Sequence, residues 1–423
     1  MHTFHPVTLL FTLVKKGLLA ATLAILASGS AAAQFSDLEF RGGQRRVDIS
    51  FRYVNGFIVV PVTFNNWFPL NFIFDTGAEH TILSKREITD LLQLEYKRRF
   101  TLVGSDLSQE FYAYLVSGIS LQVSDILAKN RSILVLEEDY LNFDDYAGVK
   151  IQGILGADFF RRFVVKINYR RRTISLYDPR QFGGLEKGFT EIPTAFERTK
   201  PYVNVDVALR QGDTSNLKLL IDTGAALPLL IDTDSDPGLE VPEQVIPSNL
   251  GAGLGGFLKG YKGRVPHLNI PPYAFSGVVT NYQEISFGDI DSTRLDRRNG
   301  IIGNEILRRF TVVLDYVQER MYWAPNKDYD DEFKHDRSGL LIIASGPLLR
   351  DYVIYSVLED TPAYEAGLQP GDEIKRINWM PASFTTLSGI TKRLEKQAGK
   401  RIRLVVERDG QRLRKTFILR DLI

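Results

Sequence analysis

The chain has 423 residues, of which 44% are hydrophobic and 24% are charged, and its formal net charge is +1. This length predicts more than one domain, and the composition is that of a globular protein with a sizeable core. The balanced charge argues against nucleic acid as the main partner, because binding to phosphates needs a basic excess. The absence of cysteine excludes disulfides, thiolate metal sites and a cysteine nucleophile.

The first 33 residues have the pattern of a secretory signal peptide. Lys15 and Lys16 precede the apolar run GLLAATLAILASGS, and residues 31–33 are alanines suited to cleavage. An uncleaved membrane anchor is the alternative, but the apolar run is shorter than the ~20 residues that a spanning helix needs. We therefore expect an exported protein. The absence of cysteine favours the bacterial periplasm or cell exterior, because proteins of the eukaryotic secretory route usually contain disulfides. Its only membrane contact would be through the signal peptide.

Two long segments that follow the signal peptide repeat each other. The aspartates of FDTGA and IDTGA, Asp75 and Asp222, lie 147 residues apart (222 − 75). The glycines of ILGADFFRRF and IIGNEILRRF, Gly156 and Gly303, have the same separation (303 − 156). Upstream of each aspartate, apolar and polar residues alternate as they do in β-strands. We infer a duplicated β-rich unit that covers roughly residues 45–190 and 191–326.

The remainder of the chain belongs to neither copy. A polar stretch is followed by two β-patterned runs, by TPAYEAGLQPGDEIKRIN, by the helical pattern TLSGITKRLEKQAG and by a hairpin at Asp409-Gly410. The predicted divisions are a signal peptide at 1–33, lobe one at 34–190, lobe two at 191–326, a linker at 327–338 and a C-terminal domain at 339–423.

The duplication suggests that the two aspartates form one site. Two carboxylates a few ångströms apart share one proton, because ionising both is costly. The ionised member can then take a proton from water while the protonated member polarises a carbonyl, which hydrolyses a peptide without a covalent intermediate. The hydroxyls of Thr76 and Thr223 can brace the two loops. Gly77 and Gly224 allow the backbone to turn and its N–H groups to approach the carboxylates.

The paired Asp-Thr-Gly-Ala motifs, each followed by an apolar-apolar-Gly strand, resemble the aspartic proteases, and the alanine after glycine resembles their retroviral branch. The resemblance implies a mainly β, bilobal pepsin/retropepsin-like fold of two duplicated β-barrel-like lobes. It also implies an aspartic-type endopeptidase that acts on proteins or peptides, with Asp75 and Asp222 as the catalytic dyad. In that family the apolar-apolar-Gly strands form psi-shaped supports behind the loops, here Ile154, Leu155, Gly156, Ile301, Ile302 and Gly303.

Flaps over the cleft of such enzymes are usually glycine-rich hairpins. Lobe two offers NLGAGLGGFLKG, with Gly253, Gly255 and Gly256 as the candidate flap glycines. Lobe one offers only FTLVGSDLSQEF, around Gly104.

The run TPAYEAGLQPGDEIKRIN is similar to PDZ domains of bacterial proteases. The whole chain therefore resembles the bacterial retropepsin-like aspartic proteases that carry a C-terminal PDZ domain, which implies a peptide ligand. The best candidate for the groove is Gly339, Leu340 and Leu341. The PDZ carboxylate-binding loop normally reads apolar-Gly-apolar, and here Ser338 stands at the first position. Capture of a peptide by its C-terminus therefore stays open.

We expect an exported aspartic endopeptidase that needs neither a metal nor an organic cofactor. Both loops belong to one chain, so a monomer should suffice. Ala78 and Ala225 cannot donate a side-chain hydrogen bond to an ionised dyad, so the pH optimum should be less acidic than that of pepsin. The sequence leaves open which aspartate carries the proton. The alternative is a non-catalytic periplasmic peptide-binding or scaffolding protein with a degenerate protease fold.

Overall fold

The structure is a computed structural model, and it describes residues 38–40, 44–103, 110–210, 213–236, 238–253, 256–284 and 298–423. The predicted signal peptide, residues 1–33, lies outside the described residues. Within the described ranges no helix has the length and apolar character needed to cross a membrane.

Lobe one is built on a nine-stranded sheet whose strands close into a ring. Its elements are β1 (Leu38–Phe40), β2 (Arg46–Ser50), β3 (Arg52–Val54), β4 (Phe57–Phe64), β5 (Phe68–Phe74), β6 (Ile82–Leu83), α1 (Arg86–Leu91), β7 (Arg98–Val103), β8 (Glu110–Val123), β9 (Ile126–Leu136), α2 (Phe143–Ala147), β10 (Gly153–Leu155), α3 (Ala157–Phe160), β11 (Val164–Asn168), β12 (Thr173–Tyr177) and a 3₁₀ turn at Pro179–Gln181. The ring runs β4-β5-β10-β6-β9-β8 and closes where β8 pairs with β4.

Lobe two repeats this ring in an eight-stranded sheet. Its elements are β13 (Thr190–Ile192), β14 (Thr194–Glu197), β15 (Lys200–Arg210), β16 (Asp213–Ile221), β17 (Leu229–Asp232), a 3₁₀ turn at Thr233–Ser235, β18 (Ile246–Gly253), β19 (Gly256–Ile270), β20 (Tyr273–Gln283), β21 (Gly300–Ile302), α4 (Asn304–Leu307), β22 (Phe310–Asp315) and β23 (Arg320–Pro325). The ring runs β15-β16-β21-β17-β20-β19 and closes where β19 pairs with β15. The same order of pairing in both lobes agrees with the duplication inferred from the sequence.

A six-stranded sheet joins the lobes in the order β13-β23-β22-β11-β12-β2. At its centre β11 pairs antiparallel with β22, and Lys166 lies opposite Val313. These two residues are themselves 147 positions apart (313 − 166), so the local two-fold axis between the lobes passes beside this pair. One hydrophobic core runs through both lobes and includes Phe74 and Trp323. Burying each such side chain contributes about 1.5–3 kcal/mol.

The C-terminal domain has a separate sheet and a separate core. Its elements are β24 (Leu340–Ser345), β25 (Asp351–Val357), α5 (Pro362–Glu365), β26 (Glu373–Ile377), β27 (Met380–Pro381), a 3₁₀ turn at Ala382–Phe384, α6 (Leu387–Leu394), β28 (Arg401–Arg408) and β29 (Gln411–Ile418). Thr386 caps α6, since its hydroxyl accepts a hydrogen bond from Gly389 N at 3.1 Å. The predicted Asp409-Gly410 hairpin connects β28 and β29. The fold is therefore mainly β, with two duplicated barrel-like lobes and a C-terminal β domain, and this prediction is confirmed.

The segment predicted as a linker, residues 327–338, is packed in place. Phe333 is buried and stands edge-to-face against Phe275 of lobe two, and the Arg309 guanidinium lies 3.8 Å from the centre of the Phe333 ring. Arg337 is buried as well and donates a hydrogen bond to Glu395 O in the C-terminal domain at 3.0 Å. These contacts tie the C-terminal domain to lobe two.

Candidate active site

The two aspartate loops meet at the local two-fold axis and brace each other. The hydroxyl of Thr76 donates to Ile221 O at 2.7 Å, and the hydroxyl of Thr223 donates to Phe74 O at 2.8 Å. Each hydroxyl also accepts a hydrogen bond of 3.0 Å from the backbone N–H of the other threonine. Both threonine side chains are buried. Four hydrogen bonds in a water-excluded position therefore fix one loop relative to the other.

The glycines of the two loops lie directly against the opposite aspartates. A Cβ atom added to Gly224 would lie 2.5 Å from Cγ of Asp75, and one added to Gly77 would lie 2.8 Å from Cγ of Asp222. Separations below 3.0 Å essentially never occur at a real Cβ, so neither position has room for a side chain. Each glycine thus lets the carboxylate of the opposite lobe approach the axis.

Backbone N–H groups hold the two carboxylates. Gly77 N and Ala78 N donate to Oδ1 of Asp75 at 2.7 and 3.1 Å, and Gly224 N donates to Oδ1 of Asp222 at 2.7 Å. Burial raises the pKa of Asp75 well above its usual range, and the charge of Asp222 and a side-chain hydrogen bond with it raise that pKa further. The two backbone donors oppose this rise. A proton held between the two carboxyl groups lets one act as an acid while the other acts as a base.

The strands behind the loops adopt the psi-shaped arrangement that the family resemblance implies. β10 runs parallel to β5 and antiparallel to β6, and β21 runs parallel to β16 and antiparallel to β17. Asp75 N donates to Leu155 O at 3.2 Å, and Asp222 N donates to Ile302 O at 3.0 Å. The six predicted support residues lie on these two strands or directly after them: Ile154, Leu155, Gly156, Ile301, Ile302 and Gly303.

The glycine that ends each support strand is required by close backbone contacts. A Cβ on Gly156 would lie 2.5 Å from His80 O, and one on Gly303 would lie 2.3 Å from Leu227 O. The support strands can therefore pass beneath the aspartate loops only with glycine at these positions.

Asn304 is a site residue that sequence reasoning missed. Its side chain is 0% exposed. Its Nδ2 donates to Thr223 O at 2.6 Å and to Gly56 O at 2.8 Å, and its Oδ1 accepts from the Tyr169 hydroxyl at 2.7 Å. The residue 147 positions earlier is Ala157, which can make none of these bonds. The one signal in the sequence that could have identified Asn304 is this difference, a polar residue directly after the support glycine in one copy and alanine in the other.

Two tyrosines show the consequence of that difference. Tyr169 and Tyr316 are 147 positions apart (316 − 169) and follow the two paired strands on the axis, β11 and β22. The Tyr169 hydroxyl bonds to Asn304. The Tyr316 hydroxyl is buried and has no hydrogen-bond partner among the residues that the structure describes. The two aspartate loops are therefore supported differently.

The described parts of both predicted flap segments lie on paired antiparallel strands. In lobe two, β18 pairs antiparallel with β19, and Gly253 lies opposite Gly256 at the end of the hairpin. In lobe one, β7 pairs antiparallel with β8 up to Val103 and Glu110. The other two candidate flap glycines, Gly104 and Gly255, lie outside the described residues.

The predicted PDZ groove residues lie at the start of the edge strand of the C-terminal sheet. Gly339 has φ +84° and precedes β24, and Leu340 and Leu341 begin that strand. Leu340 is buried and Leu341 is half-buried. A Cβ on Gly339 would lie 2.2 Å from the Thr361 hydroxyl oxygen, so glycine is needed there for both space and backbone conformation.

We found no candidate metal centre in the described ranges, where no three or more His, Asp or Glu side chains are grouped so that they could hold an ion. His80, two positions after the first aspartate loop, is exposed. Tyr169 and Tyr316 lie near the two aspartates, since the charge of Asp222 acts on Tyr169 and that of Asp75 acts on Tyr316. Burial raises the pKa of both tyrosines, so their hydroxyls stay protonated.

The ring order, the braced loops and the psi-shaped supports define the fold of an aspartic protease. Residues 60–159 match the family described as aspartyl protease, and residues 353–408 match the PDZ domain family. The resemblance predicted from the sequence is confirmed in these two stretches. Among solved structures, the aspartic proteinase from Irpex lacteus aligns with 68% of this chain and 99% of its own, at 13% identity and a TM-score of 0.41. No curated protein has a sequence that matches the chain.

Proposed function

We propose that the chain is an exported aspartic endopeptidase whose Asp75 and Asp222 activate water for hydrolysis of peptide bonds. The observation that carries this proposal is the pair of braced loops, in which each carboxylate lies against the glycine of the opposite loop. The raised pKa of Asp75 supports a pair that keeps one proton at pH values where an isolated aspartate would have lost it.

The reaction uses the two carboxyl groups in turn. The ionised group takes a proton from water, and the water oxygen attacks the carbon of the scissile carbonyl. The protonated group gives its proton to the carbonyl oxygen, which yields a neutral tetrahedral diol. When the C–N bond breaks, the amine nitrogen receives one proton and a diol hydroxyl loses one, so the pair again holds a single proton.

Purified mature protein, residues 34–423, incubated with an unfolded protein substrate tests this function. Asp75→Asn and Asp222→Asn should each lower the cleavage rate by about 1,000-fold or more, because one acid–base partner is lost. Asp125→Asn, at an exposed turn of lobe one, is the matched control and should cleave like wild type. Circular dichroism checks that each variant is folded.

A non-catalytic peptide-binding or scaffolding protein remains the second candidate. The observation that favours it is the PDZ domain, because that match implies peptide binding. If wild type cleaves nothing over a broad pH range, and the two aspartate variants bind peptides as well as wild type does, the scaffold function is correct.

We also propose that the mature protein is a monomer without nucleic acid partners, and that the leader is removed on export. Light scattering should report one chain per particle, because one chain supplies both aspartates. Mass spectrometry of the exported protein should place its N-terminus at Gln34. A stable dimer, or a retained leader, would contradict the respective part.

A further inference from the structure

The groove of the PDZ domain lies between an edge strand and a helix. The sheet order β24-β25-β26-β28-β29 leaves β24 at the edge, and α6 packs beside it. PDZ domains bind an extended peptide as an additional strand on such an edge, and backbone N–H groups capture its terminal carboxylate. A peptide can therefore bind only if the free edge of β24 and the N–H groups of the loop before it are not already in contact with other parts of the chain.

The open end of this groove is in contact with lobe one. Gly148 follows α2 in the left-handed conformation, with φ +66°. A Cβ added to it would lie 3.0 Å from Cβ of Leu387, the first residue of α6, and 3.7 Å from Cβ of Ala344 in β24. One backbone position of lobe one thus lies beside both walls of the groove, and a Cβ there would need Leu387 to shift by a few tenths of an ångström.

The carboxylate-binding loop is in contact with Asp336, a side chain of the linker segment that precedes it. Oδ2 of Asp336 accepts hydrogen bonds from Gly339 N at 2.6 Å and from Ser338 N at 3.2 Å. Leu340 N donates to the Ser338 hydroxyl at 3.2 Å, and that hydroxyl donates to Oδ1 of Asp336 at 2.6 Å. The N–H groups that would hold the carboxylate of a peptide are therefore already bonded, one of them strongly to a carboxylate.

We propose that the groove between β24 and α6 is an intramolecular docking surface for the turn that follows α2 of lobe one at Gly148, hereafter the Gly148 turn. A peptide with a free C-terminal carboxylate binds there only by displacing this turn and the Asp336 carboxylate. The ligand class is thus a C-terminal peptide that competes with the chain itself. Ser338 stands where an apolar residue is usual, and its hydroxyl bonds to both Leu340 N and the Asp336 carboxylate.

The docked segment is also connected to the catalytic loops. Asn55 Nδ2 donates to Tyr146 O in α2 at 3.0 Å. The next residue, Gly56, accepts the hydrogen bond from Asn304 that fixes the Asp222 loop. Helix α2 therefore joins the PDZ groove to the hairpin between β3 and β4, which lies against the active site.

Cross-linking tests the docked turn directly, because the natural chain has no cysteine. In the double variant Gly148→Cys/Ala344→Cys the two Cβ atoms would be 3.7 Å apart, which suits a disulfide. Mild oxidation should close this disulfide in most folded molecules. The control Gly148→Cys/Thr416→Cys, with an exposed position on the opposite edge strand β29, should remain open. Failure of the first pair to close, or equal closure of both, overturns the proposal.

Peptide binding tests the occupied loop by a second route. The probes are short fluorescein-labelled peptides that end in Val, Leu or Phe with a free carboxylate, and their C-terminal amides are the controls. Asp336→Ala should bind the carboxylate peptides about tenfold more tightly than wild type. Asp336→Asn keeps an acceptor for the loop and should bind like wild type. Equal affinity of wild type and Asp336→Ala, or no binding by either, contradicts the proposal. Neither measurement needs catalytic activity, so its failure is separate from failure of the proposed function.

Discussion

The two lobes have the same ring of strands and the same aspartate loop, but they secure that loop differently. The loop of Asp222 is tied to lobe one by the buried amide of Asn304, whereas Ala157 stands at the equivalent position below the loop of Asp75. The carboxylates differ too, since Oδ1 of Asp75 accepts two backbone hydrogen bonds and Oδ1 of Asp222 accepts one. Duplication supplied two matching carboxylates, and later divergence made their surroundings unequal.

Some features of the site must be symmetrical between the two lobes, and others need not be. The threonine braces, the loop glycines and the support glycines occur in both lobes, because each forms or permits a contact across the axis or beneath a loop. Asn304 occurs once, and its bonds to Thr223 and Gly56 add a single bridge between the lobes to these paired contacts. Substitutions should therefore be severe at the symmetrical positions and graded at the others.

The largest effect should come from filling the space between the lobes. Gly224→Ala places a methyl group 2.5 Å from Cγ of Asp75 and should lower kcat/KM by about 100-fold or more, because a shift of about 1 Å misaligns the pair. Gly77→Ala should act in the same way. Gly183→Ala is the control, since a Cβ there meets nothing within 4 Å. A fully active Gly224→Ala enzyme would show that the carboxylates do not meet as described.

An intermediate effect is expected from Asn304→Ala, which gives lobe two the residue that lobe one has. The change leaves the Thr223 and Gly56 carbonyls and the Tyr169 hydroxyl without their partner. We expect about 3 kcal/mol less free energy of unfolding and a kcat about tenfold lower, while KM stays within about twofold. Asn216→Ala, at an exposed strand position, is the control.

Steady-state kinetics distinguishes this positioning role from a purely structural one. If Asn304→Ala lowers stability but leaves kcat and its pH profile unchanged, Asn304 only supports the fold.

The smallest effect should separate the two symmetry-related tyrosines. Tyr169→Phe removes a buried hydrogen bond to Asn304 and should lower the free energy of unfolding by about 1–2 kcal/mol. Tyr316→Phe removes a buried hydroxyl that has no partner among the described residues, so its cost should be near zero or negative. Urea unfolding of both variants measures the difference. An equal decrease in the free energy of unfolding for both variants would contradict the difference in hydrogen bonding between the two tyrosines.

The sequence predicted the elements that local patterns encode. The 147-residue offset between Asp75 and Asp222 predicted a duplicated β-rich unit, and the resemblance of the paired motifs to aspartic proteases implied the two barrel-like lobes. The loop residues have specific backbone requirements, which is why a short motif identifies them. The PDZ domain was predicted in the same way, from a run with fixed turn residues.

The sequence did not predict contacts between distant residues with no motif of their own. Asn304 is ordinary in type, and its importance depends on the positions of Gly56 and Tyr169, which only the folded chain brings together. The contact of Gly148 with α6 likewise depends on how the PDZ domain sits against lobe one. Such arrangements follow from tertiary packing, and a single sequence does not contain them as local signals.

The pH dependence of kcat/KM tests the shared proton most directly. Because the pKa of Asp75 is raised, the pair keeps its single proton as pH rises beyond the range of an isolated aspartate, and the loss of activity at high pH is displaced upward. Ala78 and Ala225 offer no side-chain donor to the ionised pair, so nothing from these side chains opposes that shift. We predict a bell-shaped profile with its maximum at a less acidic pH than that of pepsin, and no measurable profile in Asp75→Asn or Asp222→Asn. A maximum at about pH 2, or an aspartate variant that keeps the wild-type profile, would contradict it.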